Sequence, residues 1–175
     1  EPVREALGYP DGRLARADRL TQWIDNLDYP IHYFDFETWN PCIPPFDKTR
    51  PYMQIPVQYS VHIQDEQGGV TRHYEFLADA QGDPRPDLIE HMLEDLGKTG
   101  SIVVHHAEFE TKRIEELASY SPRNSKALLA LLDRIEDTEL PFKKNWYLHP
   151  GLMGRSSIKV VLPTLVPELS YDEME

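Results

Sequence analysis

The sequence predicts one α/β domain built on a mixed β-sheet with helices flanking it. A short aromatic-rich apolar run at residues 31–37 and a strand–turn–strand pattern at residues 57–77 predict three antiparallel strands. From residue 83 onward helical and strand patterns alternate, which is typical of parallel strands joined by helices. A chain of 175 residues is long enough for one such domain, so residues 1–175 are predicted to form it.

The first elements follow from spacing and from proline content. Residues 12–28 have apolar residues at helical spacing, so residues 1–28 are predicted to be a helical lead-in to the domain. The run at 31–37 is predicted to be a strand buried on both faces, because apolar and aromatic residues dominate it. Prolines recur between residues 40 and 56, which predicts a loop there.

The second half of the chain contains helices and short strands in alternation. Pro84 and Pro86 begin a helix that has a continuous apolar face. The elements that follow are a strand at 101–105, helices at 107–119 and 128–132, and a strand at 135–138. Ser156 or Ser157 is expected to cap a last short helix, which Pro163 limits.

The net charge and the cysteine content limit the classes of function. A net charge of -12 argues against sequence-independent binding along an extended stretch of nucleic acid, because such binding needs many Lys and Arg contacts to phosphates. It does not exclude a metal-dependent nuclease, because a bound cation changes the local sign of a carboxylate site. Cys42 is the single cysteine, and no signal peptide or membrane span is visible, so we expect a cytoplasmic protein with no membrane partner.

Both ends of the chain resemble boundaries within a larger protein. The sequence starts without a methionine and stops without a polar tail. We therefore expect further domains of the same longer chain to be partners of this one.

Two acids near the end of the first predicted strand are the strongest candidates for a functional site. Side chains alternate along a strand, so Asp35 and Glu37 point the same way. Two carboxylates side by side in an apolar strand repel each other, and a divalent cation such as Mg²⁺ or Mn²⁺ removes that repulsion. The alternative is a structural pair, because an Asp-x-Glu pattern is common by chance.

Glu110 and Asp137 are further candidates. In a helix beginning near residue 107, Glu110 shares a stripe with Ile114 and Leu117 and is directed toward the core, whereas Glu108 faces solvent. The alternative is that Glu110 pairs with Lys or Arg at the edge of that stripe. Asp137 ends a strand that we expect beside the first strand, which would direct its side chain into the same crevice. A turn or helix-cap acid is the alternative.

Histidines and a basic segment complete the candidates. His106 and His149 are possible proton-transfer groups, with a structural histidine as the alternative for each. A basic segment interleaved with aromatic residues would suit a single nucleic-acid strand, or it is surface charge over an apolar cluster. Its members are Lys143, Lys144, Trp146, Tyr147, Arg155 and Lys159.

Several longer phrases of the sequence resemble a bacterial family whose domain has no assigned function. The phrases lie at residues 33–38, 50–60, 83–85, 100–104, 109–110 and 157–163, and the resemblance covers the chain from about residue 28 onward. That family is similar to the DEDD superfamily of 3′-to-5′ exonucleases, which have a ribonuclease-H-like fold.

The resemblance implies a nuclease that hydrolyses phosphodiester bonds of DNA or RNA at a single-stranded end with two Mg²⁺ or Mn²⁺ ions. Asp35 and Glu37 match the first motif, and Glu110 matches the second, where the exonucleases usually have Asp. His106 stands where an Asn often precedes that second acid. The final motif, a His or Tyr followed by Asp, has no clear counterpart; Asp172 is the nearest acid, so we expect the last ligand beyond residue 175.

Two other functions remain open from the sequence. The domain is either catalytic or a silent ribonuclease-H-like module used for binding or assembly in a larger nucleic-acid-processing protein. A third class, a nucleotide-processing hydrolase, would be favoured by cleavage of mononucleotides but not of strands. Carboxylates within reach of common metal ions distinguish a catalytic domain from a silent one.

Overall fold

The computed structural model describes residues 14–15 and 17–169 of the chain. Contacts within the chain separate two compact units, Leu27–Asp137 and a second unit from the segments on either side of it. Residues 1–13, 16 and 170–175 lie outside the described residues, and Asp172 is one of them. The predicted single domain over residues 1–175 stays a prediction.

Five strands of the unit Leu27–Asp137 form one mixed sheet. They are β2 (Ile31–Trp39), β3 (Ile55–Gln64), β4 (Thr71–Leu77), β5 (Ile102–Val104) and β6 (Ile135–Asp137), and their order in the sheet is β4-β3-β2-β5-β6. The first three are antiparallel to one another, β5 is parallel to β2, and β6 is parallel to β5. The predicted mixed sheet, antiparallel first and parallel later, is confirmed.

Three helices of the same unit share its hydrophobic core with one face of the sheet. They are α2 (Arg85–Leu96), α3 (Ala107–Tyr120) and α4 (Ser125–Leu132). Their apolar stripes meet the side chains of β2, β3 and β5, as helical and strand periodicity predicts. The core residues are Phe34, Phe36, Tyr59, Val61, Ile63, Leu88, Ile89, Met92, Leu96, Ile102, Val104, Ile114, Leu117, Ala118, Leu128 and Leu131.

The second face of the sheet is polar along β2, so the prediction of a strand buried on both faces is wrong. Tyr33 is 41% exposed, and Asp35 and Glu37 are exposed as well. These residues alternate with the buried Phe34 and Phe36, so β2 has one core face and one solvent-facing side. The aromatic content of this strand comes from both faces, which is why it resembles a fully buried strand.

The second unit contains short elements. They are β1 (Leu14–Ala15), α1 (Ala17–Asp25), α5 (Leu140–Lys143), β7 (Tyr147–Leu148), a 3₁₀ turn (Pro150–Leu152) and α6 (Ile158–Leu165). The helix predicted from residue 12 begins only at residue 17, because β1 pairs antiparallel with β7. Ser157 occupies the position before α6 as expected, but its side chain makes no capping hydrogen bond to the described residues, and α6 extends two residues past Pro163. Within the described part of the chain, no helix is long and apolar enough to cross a membrane.

Candidate functional site

The carboxyl ends of the parallel strands meet at one edge of the sheet. Tyr33 pairs with Val103, and Val104 pairs with Asp137. β5 therefore stops beside Phe34, and Asp35 lies one residue beyond that point on β2. On the side where β5 has ended, the backbone of β2 is open to the helix that follows β5.

Glu110 comes from that helix, in the first turn of α3. It is 1% exposed, and it lies on one stripe with Ile114 and Leu117, which are also buried. Glu108 is exposed on the other side of the helix. The predicted core-directed position of Glu110 is confirmed, and it follows from helical spacing alone.

The buried Glu110 carboxylate lacks a full set of hydrogen-bond donors. The backbone N–H of Phe36 donates to it, but its Oε2 has no hydrogen-bond partner among the described residues. Burial, together with the adjacent negative charge of Asp35, raises the pKa of Glu110 to about 8. Two ionised carboxylates cannot donate to each other, so the pair needs either a proton or a cation between its members.

Asp35 faces the solvent side of this pair, with Glu37 on the same side of β2. The pairing of β2 with β3 shifts directly after Glu37: Glu37 pairs with Gln58, but Thr38 pairs with Pro56. A bulge of this kind redirects side chains, and Pro56 suits it because it has no N–H to donate to a ladder.

The structure brings together two of the three predicted metal ligands. Asp35 and Glu110 are adjacent, whereas the described residues contain no group of three or more His, Cys, Asp or Glu side chains able to hold a metal ion. Glu37 is therefore not grouped with the other two in this conformation. Its role as a ligand stays a prediction.

Asp137 lies elsewhere than predicted. It ends β6, but β5 separates β6 from β2, so the expectation that its strand lies beside the first strand is wrong. Its Oδ1 accepts a hydrogen bond from the backbone N–H of His106 at 3.0 Å. This contact anchors the residue that precedes α3, which agrees with the alternative of a structural turn acid. A catalytic role for Asp137 stays a prediction.

The other polar candidates have structural contacts. The His149 side chain accepts a hydrogen bond from the backbone N–H of Gly151 at 3.0 Å and so begins the 3₁₀ turn. His106 is exposed and has a left-handed backbone at the start of α3. Lys143 forms an ion pair with Glu139 at 2.6 Å.

Arg113, one helical turn after Glu110, is a residue of the site that sequence reasoning missed. It is buried, it contacts the Gln54 side chain, and its Nε lies 3.0 Å from Glu116 Oε2. Its positive charge opposes the rise in the pKa of Glu110. The spacing of three residues between Glu110 and Arg113 was the available signal.

These features define an α/β protein with a pair of adjacent carboxylates, the exposed Asp35 and the buried Glu110, at the end of a mixed sheet. The chain belongs to the family described as a domain of unknown function, DUF2779, whose model matches residues 32–157. The match extends over all five strands of the sheet except the first residue of β2, and it includes Asp35, Glu37 and Glu110. No curated protein and no solved structure matched the chain.

Proposed function

We propose that this chain is a metal-dependent nuclease of the ribonuclease-H-like class, similar to the DEDD 3′-to-5′ exonucleases, that hydrolyses DNA or RNA. The observation that carries the proposal is the contact between the Asp35 and Glu110 carboxylates, one solvent-facing and the other buried without a full set of donors. The strand arrangement, antiparallel first and parallel later, supports the same class.

The residues present suit a divalent cation. A buried carboxylate oxygen without a donor is costly, and Mg²⁺ or Mn²⁺ prefers such hard oxygen ligands. Asp35 and Glu110 would hold the ion, and Glu37 is the proposed third ligand because it is exposed and shares a strand side with Asp35.

The chain's own residues have distinct tasks in this proposal. Divalent ions in such sites activate a water molecule and neutralise charge that develops on the phosphate. Glu110 is held in place by the Phe36 N–H and by the packing of α3, so it orients the site. Asp35 presents its carboxylate on the exposed side, where a phosphodiester can approach. Because Glu110 retains a proton to about pH 8, cation binding must displace that proton.

A cleavage assay tests the proposal. A 5′-labelled single-stranded oligonucleotide is incubated with Mn²⁺ and the wild-type chain, Asp35→Asn, Glu110→Gln or Glu108→Gln. Glu108 is the matched control, since it is an exposed acid two residues from Glu110 on the same helix. We expect products shortened from the 3′ end with wild type and Glu108→Gln, and a loss of at least about 100-fold with the other two variants. Equal cleavage by all four proteins, or none by wild type, would refute the assignment.

A second function, a catalytically inactive binding or assembly module, is favoured by one observation. The described residues contain no group of three or more acids or histidines placed for a metal ion. In that case the fold would bind nucleic acid or a neighbouring domain without cutting. Strand binding by the wild-type chain with no Mn²⁺ binding and no cleavage would select this function over the nuclease.

A further inference from the structure

A basic groove lies between the loop at residues 40–54 and α3, within the unit Leu27–Asp137. We call it the loop–helix groove; its volume is about 510 Å³. Its principal lining residues are Lys48, Arg50, Met53, Arg85, Lys112 and Tyr120. A space of this size accepts a nucleotide-sized ligand.

The groove has an excess of positive charge although the whole chain is acidic. Four basic side chains line it against two acidic ones, Glu115 and Glu116; Arg85 is ion-paired with Asp83, so the exposed positive charge comes from Lys48, Arg50 and Lys112. The chain as a whole has a net charge of -12. Glu116 is already shared by two arginines, at 3.0 Å from Arg113 and 3.7 Å from Arg50. Lys112 is exposed. The local field therefore favours an anion.

The loop side of the groove is held by a buried arginine. Arg85 is 1% exposed, and its Nη2 donates to the Asp47 carbonyl at 2.7 Å and to Asp83 Oδ2 at 2.6 Å. Its guanidinium lies 3.8 Å from the centroid of the Tyr120 ring. These contacts fix the residue that directly precedes Lys48, whose backbone is left-handed with φ 59°.

Donors remain available in the groove. Arg85 Nη1 is buried and has no acceptor among the described residues. Lys48 Nζ donates to the Tyr120 carbonyl at 3.3 Å, and an ammonium group has further N–H donors to offer. An oxyanion in the groove would supply acceptors that the protein lacks there.

The two elements that line the groove are connected along the chain to the residues of the carboxylate pair. The loop follows directly from β2, which contains Asp35, and α3 contains Glu110 in its first turn. A helix rises about 1.5 Å per residue, so Lys112 lies about 3 Å and Tyr120 about 15 Å beyond Glu110 along the axis of α3.

We propose that the loop–helix groove binds the phosphate backbone of a single nucleic-acid strand, independent of sequence, through Lys48, Arg50 and Lys112. The proposal rests on the proposed function for the direction of the strand toward Asp35 and Glu110. Binding in the groove itself requires neither a metal ion nor cleavage. Arg85 is a positioning residue for the loop.

The test measures binding of a fluorescein-labelled fifteen-nucleotide oligothymidylate by anisotropy, in EDTA at low salt, with the whole chain. The variant combines Lys48→Glu, Arg50→Glu and Lys112→Glu. We expect its affinity to fall at least tenfold and the slope of log K against log salt to decrease by about 2, since each phosphate contact on a single strand contributes about 0.7. A variant with Gln at the same three positions removes charge without adding acids and should show a smaller loss.

The matched control combines Arg72→Glu, Lys98→Glu and Lys126→Glu, three exposed residues outside the groove, for the same change in net charge. We expect its affinity to exceed that of the groove variant several-fold. Equal losses in both triple variants, or no salt-dependent binding by wild type, would overturn the groove proposal. If the groove binds the strand but wild type does not cleave it, only the nuclease proposal is refuted. If wild type cleaves the strand but the groove variant binds it as tightly as wild type does, only the groove proposal is refuted.

Discussion

Glu110→Gln should stabilise the metal-free chain at neutral pH, although Glu110 is one of the proposed metal ligands. The buried carboxyl group binds its proton more tightly in the folded chain than in the unfolded one. The free energy of unfolding of wild type is therefore lower at neutral pH than at acid pH, and Gln does not have this dependence. The ordinary pKa for this glutamate is 4.5, and burial together with the Asp35 charge raises it to about 8. Gln has nearly the shape of the protonated acid and has no charge to bury.

The size of the effect follows from proton linkage. Between pH 4.5 and 8 the folded chain holds a proton that the unfolded chain has released, so the free energy of unfolding falls as pH rises. The contribution is complete below pH 4.5 and is lost as pH rises through about 8. Each pH unit in this window changes the free energy by about 1.4 kcal/mol per proton, so moving from pH 5 to pH 7 costs wild type roughly 3 kcal/mol from Glu110.

Urea unfolding in EDTA at pH 5, 6, 7 and 8 measures this effect for wild type, Glu110→Gln and the exposed control Glu108→Gln. The difference between Glu110→Gln and wild type isolates Glu110 from the other titrating groups. We expect this difference to grow by about 3 kcal/mol in favour of the variant from pH 5 to pH 7. A constant difference across this range, or a variant that becomes relatively less stable as pH rises, would refute the assignment of a raised pKa to Glu110.

Three further stability changes follow from the packing of the same unit. Gly100→Ala should lower the free energy of unfolding by roughly 3 kcal/mol or more, because Gly100 has φ +83° and an added Cβ would lie 1.9 Å from the Pro30 carbonyl oxygen. The shift of the midpoint in urea unfolding measures this loss. Arg134→Ala should lower the free energy of unfolding by roughly 2–3 kcal/mol in the same assay, because the Arg134 guanidinium donates to four carbonyls at and after the end of α2. Arg134→Lys should recover only part of this loss. Ile114→Ala should cost about 2–5 kcal/mol, since Ile114 is fully buried; a loss below 1 kcal/mol would show that α3 is not packed on the sheet as described.

Periodicity was sufficient to predict most of the sheet and the position of Glu110. The hairpin of β3 and β4, the apolar faces of α2 and α3, and the core-directed stripe containing Glu110 depend on local spacing, which the sequence shows directly. The exposed side of β2 was not predictable in the same way. Its aromatic residues lie on both faces, so hydrophobicity alone does not separate a core face from a polar one.

The parts that sequence reasoning missed depend on contacts distant along the chain. The order of strands decides which acids meet, and nothing local to Asp137 shows that β5 separates its strand from β2. Arg85 lies 38 residues from Asp47, whose carbonyl it binds, and its burial depends on Tyr120 of a later helix. Asp83-Pro84-Arg85 was recognisable as a motif, but its task in fixing the loop follows only from the three-dimensional structure.

Calorimetric titration with Mn²⁺ tests the central claim most directly, namely that Asp35 and Glu110 together bind a divalent cation. The titration is run at pH 7 in buffers of different ionisation enthalpy, on wild type, Asp35→Asn and Glu108→Gln. We expect binding by wild type and Glu108→Gln with release of about one proton per ion, because Glu110 holds its proton at this pH, and no binding by Asp35→Asn. No binding by wild type, or equal binding by Asp35→Asn, would contradict the claim.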